Sequence, residues 1–281
     1  MSTETPPPAL PIDHVLHPTD FSPASEVAFG HALAIALRAR AALTLLHVDR
    51  QEGATPWSEF PSVRGMLERW GLLPPGSPRS AVPKLGIEVE KVVAAGSDPT
   101  DAIAAYLRES PAQFLVLATH GRDGISRWMS RPVAEPLARA ARAPVLFVPD
   151  GVPGFVALDD GTVTLHRVLV PADHDPAPRA AIAVASALAR AFDAAARFAL
   201  LHVGAPDAAP EARLEPAAAW ERIARNGPVV DEIVAAAESL PADLIAMTTH
   251  GHHGFLDALR GSTTERVLRR ARCPVLAVPA N

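Results

Sequence analysis

Two stretches of this chain set glycine, hydroxyl and histidine side chains at matching intervals. Residues 247–265 read MTTHGHHGFLDALRGSTTE, and residues 117–135 read LATHGRDGISRWMSRPVAE. In the later stretch Gly261-Ser262 opens a helical pattern, and a helix N-terminus offers unpaired N–H groups and partial positive charge to an anion. Gly261 leaves room for a phosphate to reach the backbone, and Gly251 lets the chain turn sharply out of the preceding strand. Ser262, Thr263 and Thr264 add hydroxyl donors. The same residues, closed by Glu265, also spell a capping box that needs no ligand. In the earlier stretch Arg131-Pro132 replaces the Gly-Ser step. Pro132 removes a backbone donor, although a first helical turn accepts proline, and Arg131 puts a long cation where glycine leaves space. That cation could plug the pocket or bind an anion by a different geometry; a plugged first site and a retained second one are expected.

Other chemistries find less support. His250, His252 and His253 suggest a metal, yet His250 has a counterpart in His120, and no acidic or cysteine partner is near in sequence. Only two lysines occur, Lys84 and Lys91, and neither follows glycine, which removes a P-loop. No Gly-x-Ser-x-Gly elbow is present. The single Cys273 excludes an intramolecular disulfide and sits opposite Ala143 of the other copy, the mark of a small core position. His47 and His202 end matching strands and read as packing residues. The net charge of −5 argues against nucleic acid as partner. Arg266, Arg269, Arg270 and Arg272 read as solvated complements to a helix C-terminus. The longest apolar runs, 32–37 and 180–189, are too short or interrupted to cross a bilayer. With no signal-like N-terminus and one cysteine, a cytoplasmic location is expected. The Ala/Arg-rich, Lys-poor composition suggests a bacterial source.

The elements that must hold these residues come from a duplication. A shift of 130 lays residues 111–149 on 241–279 without a gap. HVLHPTD (14–20) answers RVLVPAD (167–173), and LTLLHVD (43–49) answers FALLHVG (198–204). In the first copy, strands are expected near 12–18, 42–48, 87–93, 113–118 and 144–148, with helices near 23–39, 62–70, 98–109 and 131–142. In the second, strands are expected near 167–171, 197–203, 218–224, 243–248 and 274–278, with helices near 177–194, 229–239 and 262–272. Doubly apolar strands alternating with helices mean an α/β fold with a mainly parallel sheet covered on both faces. The division is therefore a leader over 1–11, a first domain over 12–149, a hairpin-like linker over 150–165 and a second domain over 166–281. Asp160-Gly161 between two alternating runs carries the hairpin signal.

In a doubly wound sheet, ligands sit beyond the carboxyl ends of the strands where the strand order reverses. Pro171-Ala172-Asp173, Val203-Gly204 and the loop from Met247 to Ser262 should meet there. Asp173 offers a carboxylate to an adenine amino group or a ribose hydroxyl.

The spacing Gly-x2-Gly-x9-Gly-Ser, the VPAD strand end, the LLHV strand and CPVLAVP together resemble the universal stress protein family over both halves. The resemblance implies two tandem Rossmann-like domains, each a doubly wound five-stranded sheet, packed as a pseudo-twofold pair through the final strands PVLFVP and PVLAVP. It also implies ATP, with or without Mg2+, or a related adenine nucleotide, bound in the second domain of a regulatory module rather than an enzyme. Carried over, Asp173 and Val203 would contact adenine, with Pro171 and Ala172 also counted among the binding residues. Met247, Thr248, His250 and Gly251 would lie along ribose and phosphates, with Gly261, Ser262, Thr263 and Thr264 on the phosphates. Thr248 departs from the pattern, standing where its first glycine belongs, and could crowd the ribose or donate to it. The first copy keeps Asp20, Val48, His120 and Gly121 but has Ala118 and Arg131-Pro132 at the diagnostic positions. A scaffold acting only through protein contacts, and a slow ATPase, are the competing readings.

Overall fold

Among the described residues each half of the chain forms five strands, and all ten join one sheet. The computed structural model describes residues 11–49, 55–119, 143–250 and 262–280. The expected leader (apart from Pro11), the helix over 131–142, and residues His120, Gly121, Arg131, Pro132, Gly251, His252, His253 and Gly261 lie outside the described residues. The first half contributes β1 (His14–Pro18), β2 (Ala42–Asp49), β3 (Val89–Ala95), β4 (Phe114–Thr119) and β5 (Val145–Pro149). The second contributes β6 (Arg167–Pro171), β7 (Arg197–Val203), β8 (Trp220–Arg225), β9 (Leu244–Thr249) and β10 (Val275–Pro279). The helices are α1 (Pro23–Ala39), α2 (Val63–Arg69), α3 (Pro99–Glu109), α4 (Arg179–Phe192), α5 (Val229–Ser239) and α6 (Thr263–Leu268).

The strand order is β3-β2-β1-β4-β5-β10-β9-β6-β7-β8, parallel within each half and antiparallel at β5–β10. Each half thus reverses its strand order between its first and fourth strands, the geometry that opens a crevice at the strand ends. The seam pairs Leu146 with Leu276, flanked by Val145 with Ala277 and Phe147 with Val275. Leu146 and Leu276 are each other's counterparts in the repeat, so the pairing is isologous and a pseudo-twofold axis passes between them. The final strands expected to associate therefore do so within the chain, and the two expected sheets are one.

Strand alternation divides the core into two layers. On one face Leu33, Ile35, Leu43, Leu45, Leu188 and Leu200 pack with α1, α2 and α4, continuous across both halves. On the other, Ile103, Leu107, Ile233 and Val267 bring α3, α5 and α6 against Leu117, Phe147, Met247 and Ala277. Arg38 of α1 donates through Nε to the Ala191 carbonyl of α4, linking the halves on the first face. The outer strands β3 and β8 carry Glu90, Lys91, Glu221, Arg222 and Arg225, charges that discourage pairing with another chain.

The segment between the halves forms a short hairpin, with Val156 bridged to Val163 and Ala157 N donating to Thr162 O at 2.9 Å. Gly161 turns it at φ +73, where a Cβ would lie 2.6 Å from the Trp70 ring. Trp70 Nε1 donates to Leu158 O at 3.1 Å, and Phe155 N donates to His31 Nε2 at 3.0 Å. The linker is thereby fastened to the first half.

His31 and His17 are fully enclosed, and burial pushes both imidazoles down to about 4. Neutral when folded but protonated when unfolded below pH 6.5, they make the unfolded chain bind more protons, so stability falls as pH drops from 6.5 towards 4. Urea titrations across this window should show a loss of up to about 3 kcal/mol per histidine, and His31→Gln should flatten the slope. An unchanged slope in that variant would exclude His31 from the pH response.

The last helix corrects one expectation. Expected over 262–272, it ends at Leu268, because Arg270 N and Ala271 N both fold back to Val267 O and Pro274 forces an extended approach to β10. The arginines there are paired rather than merely solvated: Arg269 with Glu265 at 2.7 Å, Arg270 with Asp231, and Arg272 with Glu238 at 3.4 Å.

Candidate functional site

At the carboxyl ends of β6, β7 and β9, where the order of the second half reverses, lies a cavity of about 310 Å3. Pro171, Ala172 and Asp173 reach it from the end of β6, Val203 from the end of β7, and Met247, Thr248 and His250 from β9 and the residue after it. Ser262, Thr263 and Thr264 close it from the start of α6. Every expected site residue inside the described residues therefore lines this one cavity. Gly251 and Gly261 lie outside the described residues.

Sequence reasoning missed one wall. Val229 and Ile233, one turn apart at the start of α5, and Leu201 of β7 join Val203 in the apolar part of the lining. The i, i+4 spacing of Val229 and Ile233 was the available signal, and the 44% exposure of Val229 marks a side chain with little protein against it. Asp175 and Pro176 complete the rim, and Asp175 lies 3.6 Å from His250 Nδ1 across it.

The polar groups have defined tasks. Asp173 is exposed, and its Oδ1 accepts from His174 N at 2.7 Å. Ser262 sits at the N-cap with Oγ accepting from Glu265 N at 3.1 Å, so the cap geometry of the capping box is realised. The Glu265 carboxylate pairs with Arg269. Thr263 and Thr264 follow within the first turn of α6.

Thr248 lines the cavity and also has a structural contact. Its hydroxyl accepts from Ala181 N at 3.2 Å, a first-turn amide of α4. That helix begins after Pro178, which has no side-chain cap, whereas α1 is capped by Ser22 accepting from Ser25 N at 3.2 Å. Thr248 replaces the missing cap from a neighbouring strand. Thr248→Val should therefore lower stability by about 1 kcal/mol in urea unfolding and leave ligand affinity within about twofold; an unchanged midpoint would remove this role.

The first half has the equivalent hollow, lined by Asp20, His47, Val48, Ile103 and Ala118, at only about 110 Å3. Pro99 stands there in place of Val229, and Ser25 Oγ is held by Thr19 Oγ1 at 2.9 Å with His17 Nε2 at 3.3 Å. His47 Nδ1 donates to Thr19 O at 2.8 Å, and His202 Nδ1 to Ala172 O at 3.2 Å, so both rings tie adjacent strand ends together. Cys273 is buried, and burial, helped by the Asp243 charge, pushes its thiol up to about 12. Among the described residues, no three histidine, cysteine or acidic side chains gather in a metal-binding group. No helix among them is long and apolar enough to cross a membrane.

The model of the universal stress protein family matches residues 11–149 and 211–279, most of the chain in two segments. The chain belongs to this family. It is 49% identical over 53 residues to universal stress protein A homolog 1 of Coxiella burnetii, a stretch covering 19% of the chain and 36% of that relative. A universal stress protein of Methanocaldococcus jannaschii is 49% identical over the same length, again 19% of the chain and 31% of the relative. The chain thus spans about a third of the length of the curated relatives it matches. Among solved structures, a universal stress protein from Archaeoglobus fulgidus superposes with a TM-score of 0.59 at 18% identity, over 95% of this chain and 98% of that one. A second, from Pseudomonas aeruginosa, gives 0.56 at 15% identity, over 96% and 94%. These two likenesses establish that the whole tandem fold recurs in the family.

Proposed function

We propose that the second half binds ATP or a related adenine nucleotide and that the protein acts in the cytoplasm as a nucleotide-responsive regulatory module of the stress response. The observation that carries this reading is the difference between the two equivalent hollows, about 310 Å3 in the second half and about 110 Å3 in the first. Small-ligand sites begin near 300 Å3 and combine apolar walls with a few placed polar groups. Val203, Val229 and Ile233 suit the faces of a purine, and the free oxygen of Asp173 suits its amino group or a ribose hydroxyl. The Thr263 and Thr264 hydroxyls suit phosphate oxygens, with His250 at the rim adding charge when protonated. A magnesium ion would travel with the phosphates and neutralise them.

Binding rather than turnover is proposed. Both lysines, Lys84 and Lys91, belong to the first half, so no ammonium of this chain stands ready to stabilise a leaving phosphate in the second. Calorimetric titration of Mg-ATP into protein stripped of copurified nucleotide tests the reading. One site per chain is expected, with affinity reduced at least tenfold by Asp173→Ala, the loss of one charge-assisted contact. Absence of heat with folded protein would sink the nucleotide reading in favour of a scaffold, and two sites would mean that the first half is open as well. Sustained phosphate release abolished by Asp173→Asn would make it an ATPase.

A further inference from the structure

On the opposite face of the sheet from the nucleotide cavity, the second half carries a groove of about 1200 Å3 between α4, β7, β8 and the loop 206–215. Alternation along β7 separates the two spaces: Leu201 and Val203 line the cavity, Leu200 and His202 the groove. The first half shows what fills the equivalent place there. Its connection from β2 to β3, residues 50–88, includes Phe60 and α2, whereas residues 204–219 between β7 and β8 contain no α-helix.

The repeat makes the comparison residue by residue. His47, the counterpart of His202, lies against Phe21 with ring centres 4.2 Å apart and meets Phe60 edge-on at 6.4 Å. At His202 neither aromatic is present: the counterpart of Phe21 is His174, whose Nε2 donates to Ala208 O at 2.9 Å. Glu26 of α1 approaches Arg69 of α2 at 4.0 Å, and its counterpart on α4 is Arg179, which lines the groove. Leu33, fully buried in the first half, is replaced by Ser186 on the groove wall.

The second half has therefore lost the covering segment and exchanged an apolar wall for polar groups. Among the described residues Ser186 Oγ and His202 Nε2 have no hydrogen-bond partner, although both residues are only 9% exposed. Buried polar atoms are rarely left unsatisfied, because each forfeits its hydration without return. With Nδ1 donating to Ala172 O, Nε2 of the neutral ring is an acceptor and calls for a donor. At the rim, Arg213 is paired with Glu215 at 2.6 Å and Arg222 Nη2 donates to Ala212 O at 3.1 Å. Arg179 makes no ion pair or hydrogen bond among the described residues.

We propose that this groove is a second ligand site, for a small planar aromatic acid carrying a ring hydroxyl. The ring takes the place of Phe60, which meets His47 edge-on. Its hydroxyl donates to His202 Nε2 and accepts from Ser186 Oγ, and its carboxylate meets Arg179. The proposal is independent of the nucleotide reading, since the two spaces open on opposite faces of the sheet.

The test uses 4-hydroxybenzoate and its longer homologue 4-hydroxyphenylacetate, titrated into the full chain and followed by saturation-transfer NMR. Saturable binding of at least one probe is expected, with p-cresol, which lacks the carboxylate, at least tenfold weaker. Arg179→Glu and Ser186→Leu, which restore the residues of the first half, should each weaken binding at least tenfold. Arg179 is exposed, so its substitution stays informative even if Ser186→Leu perturbs folding. Saturating Mg-ATP and Asp173→Ala should leave the probes' affinity unchanged, which separates failure here from failure of the nucleotide site. No saturable binding of either probe, or binding indifferent to Arg179→Glu, overturns the proposal. So does dimerisation in sedimentation that Arg179→Glu abolishes while the probes fail to bind, which would make the groove a seat for a second copy.

Discussion

Val203→Arg is expected to abolish Mg-ATP binding, lowering affinity by more than about 100-fold, while the protein stays folded. Val203 is half-buried at the end of β7 and forms part of the apolar lining of the cavity that Asp173 also lines. A guanidinium introduced there has two courses. Inside the cavity it occupies the space of the purine; turned outward along its methylene stem, it crosses the same mouth on the way to water. Either outcome excludes the base, and the strand end tolerates the change because the charge stays hydrated. Val48→Arg is the matched control, since Val48 occupies the same position in the smaller hollow of the first half. Calorimetry should find that variant at full affinity. Equal losses from the two variants would mean that both halves contribute to binding, and retained affinity in Val203→Arg would move the nucleotide elsewhere.

The second large effect belongs to the seam. Leu146 and Leu276 face each other across β5 and β10 and are fully buried. Truncating either to alanine should cost about 3 kcal/mol in denaturant unfolding, through lost transfer energy and the cavity left behind. Because the two side chains share one environment, the double variant should depart from the sum by at least about 0.5 kcal/mol. Strict additivity would mean that the halves are energetically separate. The same experiment reports on cooperativity. A single transition is expected, because both core layers run unbroken through β5 and β10.

What could be known beforehand follows the range of the interactions concerned. The duplication, the alternation of strands with helices and the capping Ser262 are local or periodic features, so spacing alone revealed them. The four strands and three helices expected in the first half before residue 120 recur within about two residues of their observed bounds. The meeting of Asp173, Val203, Met247 and Ser262 was also legible, because strand order in a doubly wound sheet dictates which loops share an end. Three decisive features were not. Thr248 is joined to Ala181 across 67 residues, the register of β5 on β10 spans 130, and Arg179 borders a groove because a segment elsewhere is short. None of these leaves a periodic trace, since each depends on where two distant backbones come to rest. The sequence by itself determined that this protein repeats one α/β unit and where each unit could hold a ligand. Only the tertiary structure decided that the units share one sheet, that their equivalent hollows differ almost threefold in volume, and that the second unit leaves a polar groove uncovered. The physical reason is that cavity size and polar satisfaction are properties of packed volume, which residue order specifies only through the completed fold.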